Sequence, residues 1–315
     1  MKPISIDLGH GITQLDTGYM QPGVAALYLM QEGEQIAIIE TGTSLSAPLV
    51  VEALKQRGLS ADNVAYVIPT HVHLDHAGGV GELMHICANA QLVIHPRGAR
   101  HMIDPSKLVA GTMSVYGEEA FRKLYGELRP VPEDRVIEAP DNYQLDFNGR
   151  QLRFLDTPGH ARHHFCIYDP TSRGIFSGDT FGLSYPGLAT EQGVFIFPTT
   201  TPVQFDPESM HHSIDRLMAL QPQFIYLTHF GRIEPTDAVV TQLKEGIDAF
   251  VDIAHSEKNS GDERLTRIAE RMMDYLLIQL HKMGCQVPQG ECRHILQNDV
   301  NLNSQGLEVW LEKNA

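Results

Sequence analysis

The 315-residue chain has few cysteines, a single tryptophan and no long apolar run. Its four cysteines are scattered, unlike the dense pattern of a disulfide-stapled secreted protein. No stretch approaches the roughly 18 apolar residues of a membrane span, and the first residues lack the apolar core of a secretory signal. We therefore expect a cytoplasmic protein with no membrane partner.

Positive charge is also scarce. Lys and Arg number 24 against 39 Asp and Glu, which gives a net charge of −15. Because nucleic-acid affinity depends on cationic side chains that neutralise phosphates, we expect no nucleic-acid partner. Histidine, by contrast, is abundant at 16 residues. Since histidine is the commonest protein metal ligand, the positions of these residues carry information about function.

The strongest motif is T-H-V-H-L-D-H-A-G-G, which begins at Thr70 and follows the apolar run Val64–Ile68. It places His71, His73, Asp75 and His76 within six residues. The end of a buried strand fixes the backbone, and a tight turn then directs alternating side chains into one space. Imidazole and carboxylate groups suit zinc, iron and other first-row divalent metals.

Three further candidate ligands each follow an apolar strand pattern. They are His160 after F-L-D-T-P-G, Asp179 after G-I-F-S-G, and His229 after F-I-Y-L-T. Ligands at the ends of buried strands are a recurring way to build a rigid site from distant parts of a sequence. Each is weak evidence alone, and together with the Thr70 motif they predict a metal centre.

These motifs, in the order H-x-H-x-D-H, T-P-G-H, S-G-D and T-H, resemble the metallo-β-lactamase superfamily of binuclear metallohydrolases. The resemblance spans roughly residues 10–232. It implies an α/β fold, a four-layer αβ/βα sandwich of two mixed sheets with helices outside. We expect a catalytic domain at 1–232, with a helical insertion at about 97–131, and a helical C-terminal extension at 233–315.

The resemblance also implies a role for each predicted ligand. The first metal would be held by His71, His73 and His160, the second by Asp75, His76 and His229, and Asp179 would bridge the two. Both ions are expected to be divalent, with zinc the first choice and iron or manganese the alternatives. Their bridging hydroxide would attack the substrate, because a metal lowers the pKa of bound water toward about 7.

Catalytic roles beyond metal binding are expected for two residues. Asp75 is a candidate proton acceptor, and Tyr185 is a candidate to polarise the substrate. Glu40, in I-E-T-G, stands where many relatives have Asp, and we expect it either to hydrogen-bond a ligand or to stabilise a turn. His163 and His164 are interpreted as hydrogen-bonded neighbours of the site in preference to ligands.

The leading functional hypothesis is a metal-dependent hydrolase of a small ester, lactone, thioester or phosphodiester. One alternative is an oxidoreductase that resembles the mononuclear-iron persulfide dioxygenases. Another is a non-catalytic metal- or oxygen-binding protein. The expected partner is a small-molecule substrate, and the C-terminal helices are a candidate homodimer interface.

Two local patterns complete the prediction. Asn148-Gly149 is the strongest short signal for a hairpin turn. Apolar residues at helical spacing predict helices over about 236–256 and 262–283, and no element is predicted for the residues between 284 and 306.

Overall fold

The computed structural model describes residues 3–200 and 203–314, except for the side chains of residues 115 and 116. The chain divides into two compact units. The N-terminal unit contains the chain up to Asp156 together with His163–Gly178, and the C-terminal unit contains Thr157–Arg162 together with the chain from Asp179 onward.

A mixed sheet forms the centre of the N-terminal unit. Its strands follow one another in chain order: β1 (Ser5–Asp7), β2 (Ile12–Asp16), β3 (Ala26–Glu32), β4 (Gln35–Ile39), β5 (Val64–Ile68), β6 (Gln91–Ile94) and β7 (Val136–Glu138). Neighbours from β1 to β4 are antiparallel, whereas those from β4 to β7 are parallel. Strands β3 to β6 are mostly apolar because this sheet is covered on both faces.

Six helices belong to the described part of this unit, and those with side chains in the buried core of the sheet cover one of its faces. The six helices are α1 (Ala47–Gln56), α2 (Leu74–Ala77), α3 (Val80–Ile86), α4 (Pro96–Ile103), α5 (Ser106–Tyr116) and α6 (Glu118–Tyr125). The strand register aligns Leu29, Ile38, Val67 and Leu92 in one row. This row belongs to the buried apolar core that also contains side chains of α1, α3 and α4.

A second sheet lies on the opposite face within the same unit. Its strands here are β8 (Gln144–Phe147), β9 (Arg150–Asp156), β10 (Phe165–Asp169) and β11 (Gly174–Gly178), all antiparallel. The rings of Tyr28 and Phe176 are 5.2 Å apart, and those of Tyr66 and Phe147 are 6.1 Å apart. These aromatic pairs join the two sheets. Phe147 pairs with Arg150, which confirms the predicted turn at 148–149.

The C-terminal unit is mainly helical. Its elements are α7 (Pro207–Met218), β12 (Phe224–Leu227), β13 (Gly231–Ile233), α8 (Asp237–Ser256), α9 (Arg264–Lys282) and α10 (Gln289–Lys313). Helices α8 and α9 match the predicted ones within about two residues. Helix α10 lies within the predicted helical extension, although no individual helix was predicted over most of its length. Its Asn and Gly residues disfavour a helix, but burial of Leu296, Val300 and Leu307 overrides that preference.

The fold class is therefore confirmed: an α/β sandwich with flanking helices and a helical C-terminal segment. Short 3₁₀ turns occur at Ser44–Ser46, Ala61–Asn63, Glu133–Arg135, Pro186–Leu188 and Gly261–Glu263. The domain boundary at residue 232 stays a prediction. Within the described ranges, no helix combines the length and apolar character needed to cross a bilayer. The four cysteines are free thiols.

Candidate metal centre

In the N-terminal unit, the predicted ligands lie on the loop between β5 and α2 and in α2 itself. His71 and His76 are fully buried. His71 Nε2 is 2.8 Å from His73 Nδ1, and Asp75 Oδ2 is 3.7 Å from His76 Nε2. The structure thus brings these four side chains together, and all four belong to groups that can hold a metal ion. We call residues 70–79 the ligand loop.

Glu40 holds this loop from the end of β4. Its carboxylate is buried and accepts hydrogen bonds from the Thr70 hydroxyl at 2.6 Å, the Thr70 amide at 3.1 Å and His76 Nδ1 at 3.0 Å. Thr70 Oγ1 also lies 3.0 Å from His71 Nδ1. Because the single hydroxyl proton of Thr70 is donated to Glu40, Thr70 accepts the bond from His71.

These bonds fix the tautomers of two predicted ligands. His71 and His76 both carry their proton on Nδ1, which leaves Nε2 deprotonated, as metal binding requires. Of the two interpretations of Glu40, the hydrogen-bonding partner is therefore the one observed, and it acts on His76 directly and on His71 through Thr70. Sequence reasoning missed Thr70, since a threonine at a strand end is not informative without its partners.

His163 and His164 lie beside the ligand loop, in agreement with their interpretation as neighbours. The His164 ring is 4.8 Å from the ring of His71, and the His163 ring is 5.7 Å from that of His73. His164 is fully buried and His163 nearly so.

In the C-terminal unit, His160, Asp179 and His229 come from three separate segments. Asp179 Oδ2 is 3.5 Å from His160 Nε2, and Asp179 Oδ1 is 3.8 Å from His229 Nε2. All three side chains are buried and belong to groups that can hold a metal ion. The two oxygens of one carboxylate thus face two different histidines, the arrangement that a bridging ligand needs.

The first turn of α7 positions His160. A Cβ on Gly159 would stand 2.4 Å from Met210 Cα, and φ of Gly159 is +130°, so only glycine fits there. The amide of Asp206 donates to Gly159 O at 2.8 Å, and Ser213 Oγ donates to Pro158 O at 2.6 Å. Helix α7 therefore clamps the T-P-G-H segment.

Backbone bonds fix the two other ligand segments. The Ser184 amide donates to His229 O at 2.5 Å, and the Phe230 amide donates to Ser184 O at 3.2 Å. Thr180 Oγ1, next to Asp179, donates to Thr157 O at 3.4 Å. The loops after β11 and β12 are therefore held by each other and by the T-P-G-H segment.

Tyr185, which is predicted to polarise the substrate, directly follows Ser184, the residue bonded to the His229 segment. It is nearly buried, and its hydroxyl donates to Asp299 Oδ1 of α10 at 3.2 Å. Its ring packs against Phe197. The catalytic role of Tyr185 stays a prediction.

The donor set fits a divalent metal. Neutral imidazole nitrogens and carboxylate oxygens are the ligands that zinc, iron and manganese accept, and the buried Glu40 fixes the required tautomers. The same donors serve each of these metals, so they do not select among them.

Comparison with known proteins agrees with the motifs. The family model of the metallo-beta-lactamase superfamily matches residues 20–229, more than half of the chain. The chain belongs to this superfamily. The resemblance derived from the sequence is thus confirmed, and the family match includes all seven predicted ligands.

Relatives of the chain include a metallo-beta-lactamase fold-containing protein, ST1585, from Sulfurisphaera tokodaii, 27% identical over 71% of this chain and 80% of that protein. A crystal structure of ST1585 from Sulfolobus tokodaii aligns with a TM-score of 0.63 and 24% identity, over 95% of this chain and 98% of that chain. A human acyl-coenzyme A thioesterase, MBLAC2, is 26% identical over 55% of this chain and 64% of its own length, so the match spans slightly under two thirds of that relative. At a coarse level, these relatives support a metal-dependent hydrolase.

Proposed function

We propose that this protein is a metal-dependent hydrolase of a small acyl thioester. The observation that carries the proposal is the pair of complementary ligand sets, one oriented by Glu40 and one arranged around Asp179. A single family match extends over both. Buried histidines with fixed tautomers are costly to keep unless a cation completes the site.

The residues would hold two divalent ions, zinc by preference or else iron or manganese. We assign the first to His71, His73 and His160, the second to Asp75, His76 and His229, and the bridge to Asp179. Such ions supply Lewis acidity and lower the pKa of bound water toward about 7.

The chain's own residues would then orient the substrate and move protons. Asp75 is less buried than His71 and His76, and its Oδ2 faces His76 Nε2, so we assign it as the proton acceptor. Tyr185 is assigned to polarise the substrate carbonyl through its hydroxyl, which requires release from Asp299. Glu40 positions His71 and His76 without contacting the substrate.

Among the predicted substrate classes, the thioester is favoured because a matched relative is named a thioesterase. Other esters, lactones and phosphodiesters are the alternatives. We further propose a cytoplasmic protein with no nucleic-acid or membrane partner, and α8 to α10 as the candidate homodimer surface. The mononuclear-iron oxidoreductase and the non-catalytic metal-binding protein are the competing functions.

The test combines elemental analysis with a substrate panel. The purified protein and its Asp179→Ala variant are assayed for metal and for hydrolysis of a thioester, a lactone and a phosphodiester. About two zinc or manganese ions per chain, lost in the variant, with thioester cleavage fastest, is the expected result. About one iron per chain with oxygen uptake on persulfides would overturn it in favour of the oxidoreductase. Failure to bind any metal after reconstitution would refute both enzyme functions.

A further inference from the structure

Helix α4 packs directly against the ligand loop. A Cβ on Gly98 would stand 2.9 Å from Val72 Cγ1 and 3.3 Å from Ile94 Cγ1. Val72 lies between His71 and His73, so the missing side chain of Gly98 permits this close approach. Since residues three apart share a helix face, His101 follows Gly98 on the side that faces the loop.

His101 brings this helix to the edge of the ligand set. Its ring is 6.4 Å from the ring of His163, which is itself 5.7 Å from the ring of His73 and 6.2 Å from that of His71. One histidine ring therefore separates His101 from two predicted ligands. His101 is partly exposed, so this end of α4 is open to solvent beside the ligand loop.

Positive charge collects at this position. Arg100 is exposed, and its Nε donates to His101 Nε2 at 3.3 Å. Lys107 follows in the first turn of α5. Burial and the positive charges of Arg100 and Lys107 together lower the pKa of His101 below its usual value. The acidic residue nearest in sequence is Asp104, and its carboxylate accepts a bond from the Ser106 amide. Hydrogen bonds from Ser106, and to a smaller extent the charge of Lys107, lower the pKa of Asp104.

Among the described residues, Arg100 and Lys107 differ from several arginines of the same unit in having no ion pair with a carboxylate. Arg122, Arg129 and Arg150 each form an ion pair with a carboxylate. In the part of the chain that the structure describes, neither Arg100 nor Lys107 makes such a pair. In a chain of net charge −15, these two cations therefore lie around His101 without an ion pair of this kind to a described carboxylate.

We propose that Arg100 and Lys107, with Arg100 held by His101, bind an anionic group of the substrate, a phosphate or a carboxylate. This proposal rests on the proposed function and adds a recognition element to it. An arginine fork and an ammonium group suit both anions, and water is partly excluded beside His101. The substrate class becomes a thioester whose thiol or acyl portion carries negative charge away from the scissile bond.

Calorimetric titration of the metal-loaded protein tests this proposal without any turnover. Three probes lack a thioester and a free thiol: desulfo-coenzyme A carries phosphates, S-methylglutathione carries carboxylates, and panthenol carries no charge. The variant is Arg100→Gln with Lys107→Gln. The matched control is Arg122→Gln with Lys123→Gln, which removes two exposed charges from α6. All four positions are on the surface, so we expect little change in stability.

The expected result is that the α4–α5 double variant weakens binding of one anionic probe about 10-fold, less at high salt, while the control variant does not. Loss for desulfo-coenzyme A assigns the phosphate, and loss for S-methylglutathione assigns the carboxylate. Equal affinity in wild type and variant, or no binding of either anion to wild type, overturns the proposal. If the anion binds through Arg100 and Lys107 but no thioester is cleaved, the proposed function fails and the subsite stands.

Discussion

The two units present their predicted ligands in contrasting ways. The N-terminal unit carries four ligands on one short loop and its following helical turn, oriented by a single buried carboxylate, Glu40. The C-terminal unit carries three ligands on three separate segments, which are held by α7 and by backbone bonds between loops. The first set depends on local sequence and one long-range contact, whereas the second depends on tertiary structure for every ligand.

Substitution of one ligand in each unit should give the largest effect and tests whether both sets serve one centre. If the proposed function holds, we expect His76→Ala and Asp179→Ala each to lose bound metal and to slow hydrolysis by about 10³-fold, because the metals would supply several kcal/mol of transition-state stabilisation. Elemental analysis and a thioester assay measure this. His85→Ala, an exposed histidine of α3, is the control. Full metal content in Asp179→Ala would show that the ligand loop binds metal alone.

The next largest effect is expected at the residue that orients the ligand loop. Glu40→Gln replaces an acceptor-only group that receives bonds from Thr70 and His76. We expect metal affinity to fall about 10- to 100-fold, measured by competition with a chelator. Glu34→Gln, an exposed residue of the same hairpin, should leave it unchanged. An unaltered affinity in Glu40→Gln would mean that the loop is rigid without its carboxylate.

In the C-terminal unit, the buried residue Asn303 of α10 binds the loop at residues 198–200, much as Glu40 binds the ligand loop. Asn303 Oδ1 accepts from the Thr200 amide at 2.8 Å, and its Nδ2 donates to Pro198 O at 3.2 Å. Asn303→Ala leaves both buried groups unsatisfied, so we expect the free energy of unfolding to fall by about 2 kcal/mol in urea denaturation. Asn301→Ala, exposed on the same helix, should change it by less than about 0.5 kcal/mol. Equal effects would show that the Asn303 bonds contribute nothing specific.

A smaller effect is expected at Tyr185. Tyr185→Phe removes the hydroxyl that donates to Asp299. If it polarises the substrate, kcat should fall about 10-fold, the value of one hydrogen bond, with KM nearly unchanged. The control is Tyr168→Phe on β10, which removes the hydroxyl of a tyrosine that has no assigned catalytic role and should leave kcat unchanged. A loss of stability without a change in kcat would remove Tyr185 from the mechanism.

The smallest effect concerns pH and the helical part of the C-terminal unit. The carboxylate of Glu257 accepts bonds from Ser260, Arg267 and Arg271, which lower its pKa from 4.5 to about 2. A carboxyl with a depressed folded-state pKa stabilises the fold above its unfolded pKa and loses that contribution as pH falls through its folded pKa. The Glu257→Gln variant should therefore have a lower free energy of unfolding than wild type near neutral pH. This difference should shrink as the pH falls from 4.5 to about 2. A constant difference across that range would exclude the ionised carboxylate as its source.

Sequence reasoning was most successful where the signal was local. It identified the turn at 148–149, helices α8 and α9, and the superfamily through motifs that each follow an apolar strand. Sequence reasoning predicted a helical extension but gave no bounds for α10, whose helical state depends on burial against α8 and α9. It also gave no role to Thr70, and it left Glu40 undecided between two interpretations, because both act through contacts across 30 or more positions of the chain.

The sequence by itself determined the donor types, their positions at strand ends and the superfamily, because strand patterns and ligand chemistry are properties of short segments. Only the tertiary structure decided the tautomers of His71 and His76, the clamp of α7 on the His160 segment, and the placement of α4 against Val72. Each of these depends on groups distant in sequence that meet only when the chain has folded. The pattern of a short segment does not predict such long-range contacts, because they are determined by packing and hydrogen bonding in the folded chain.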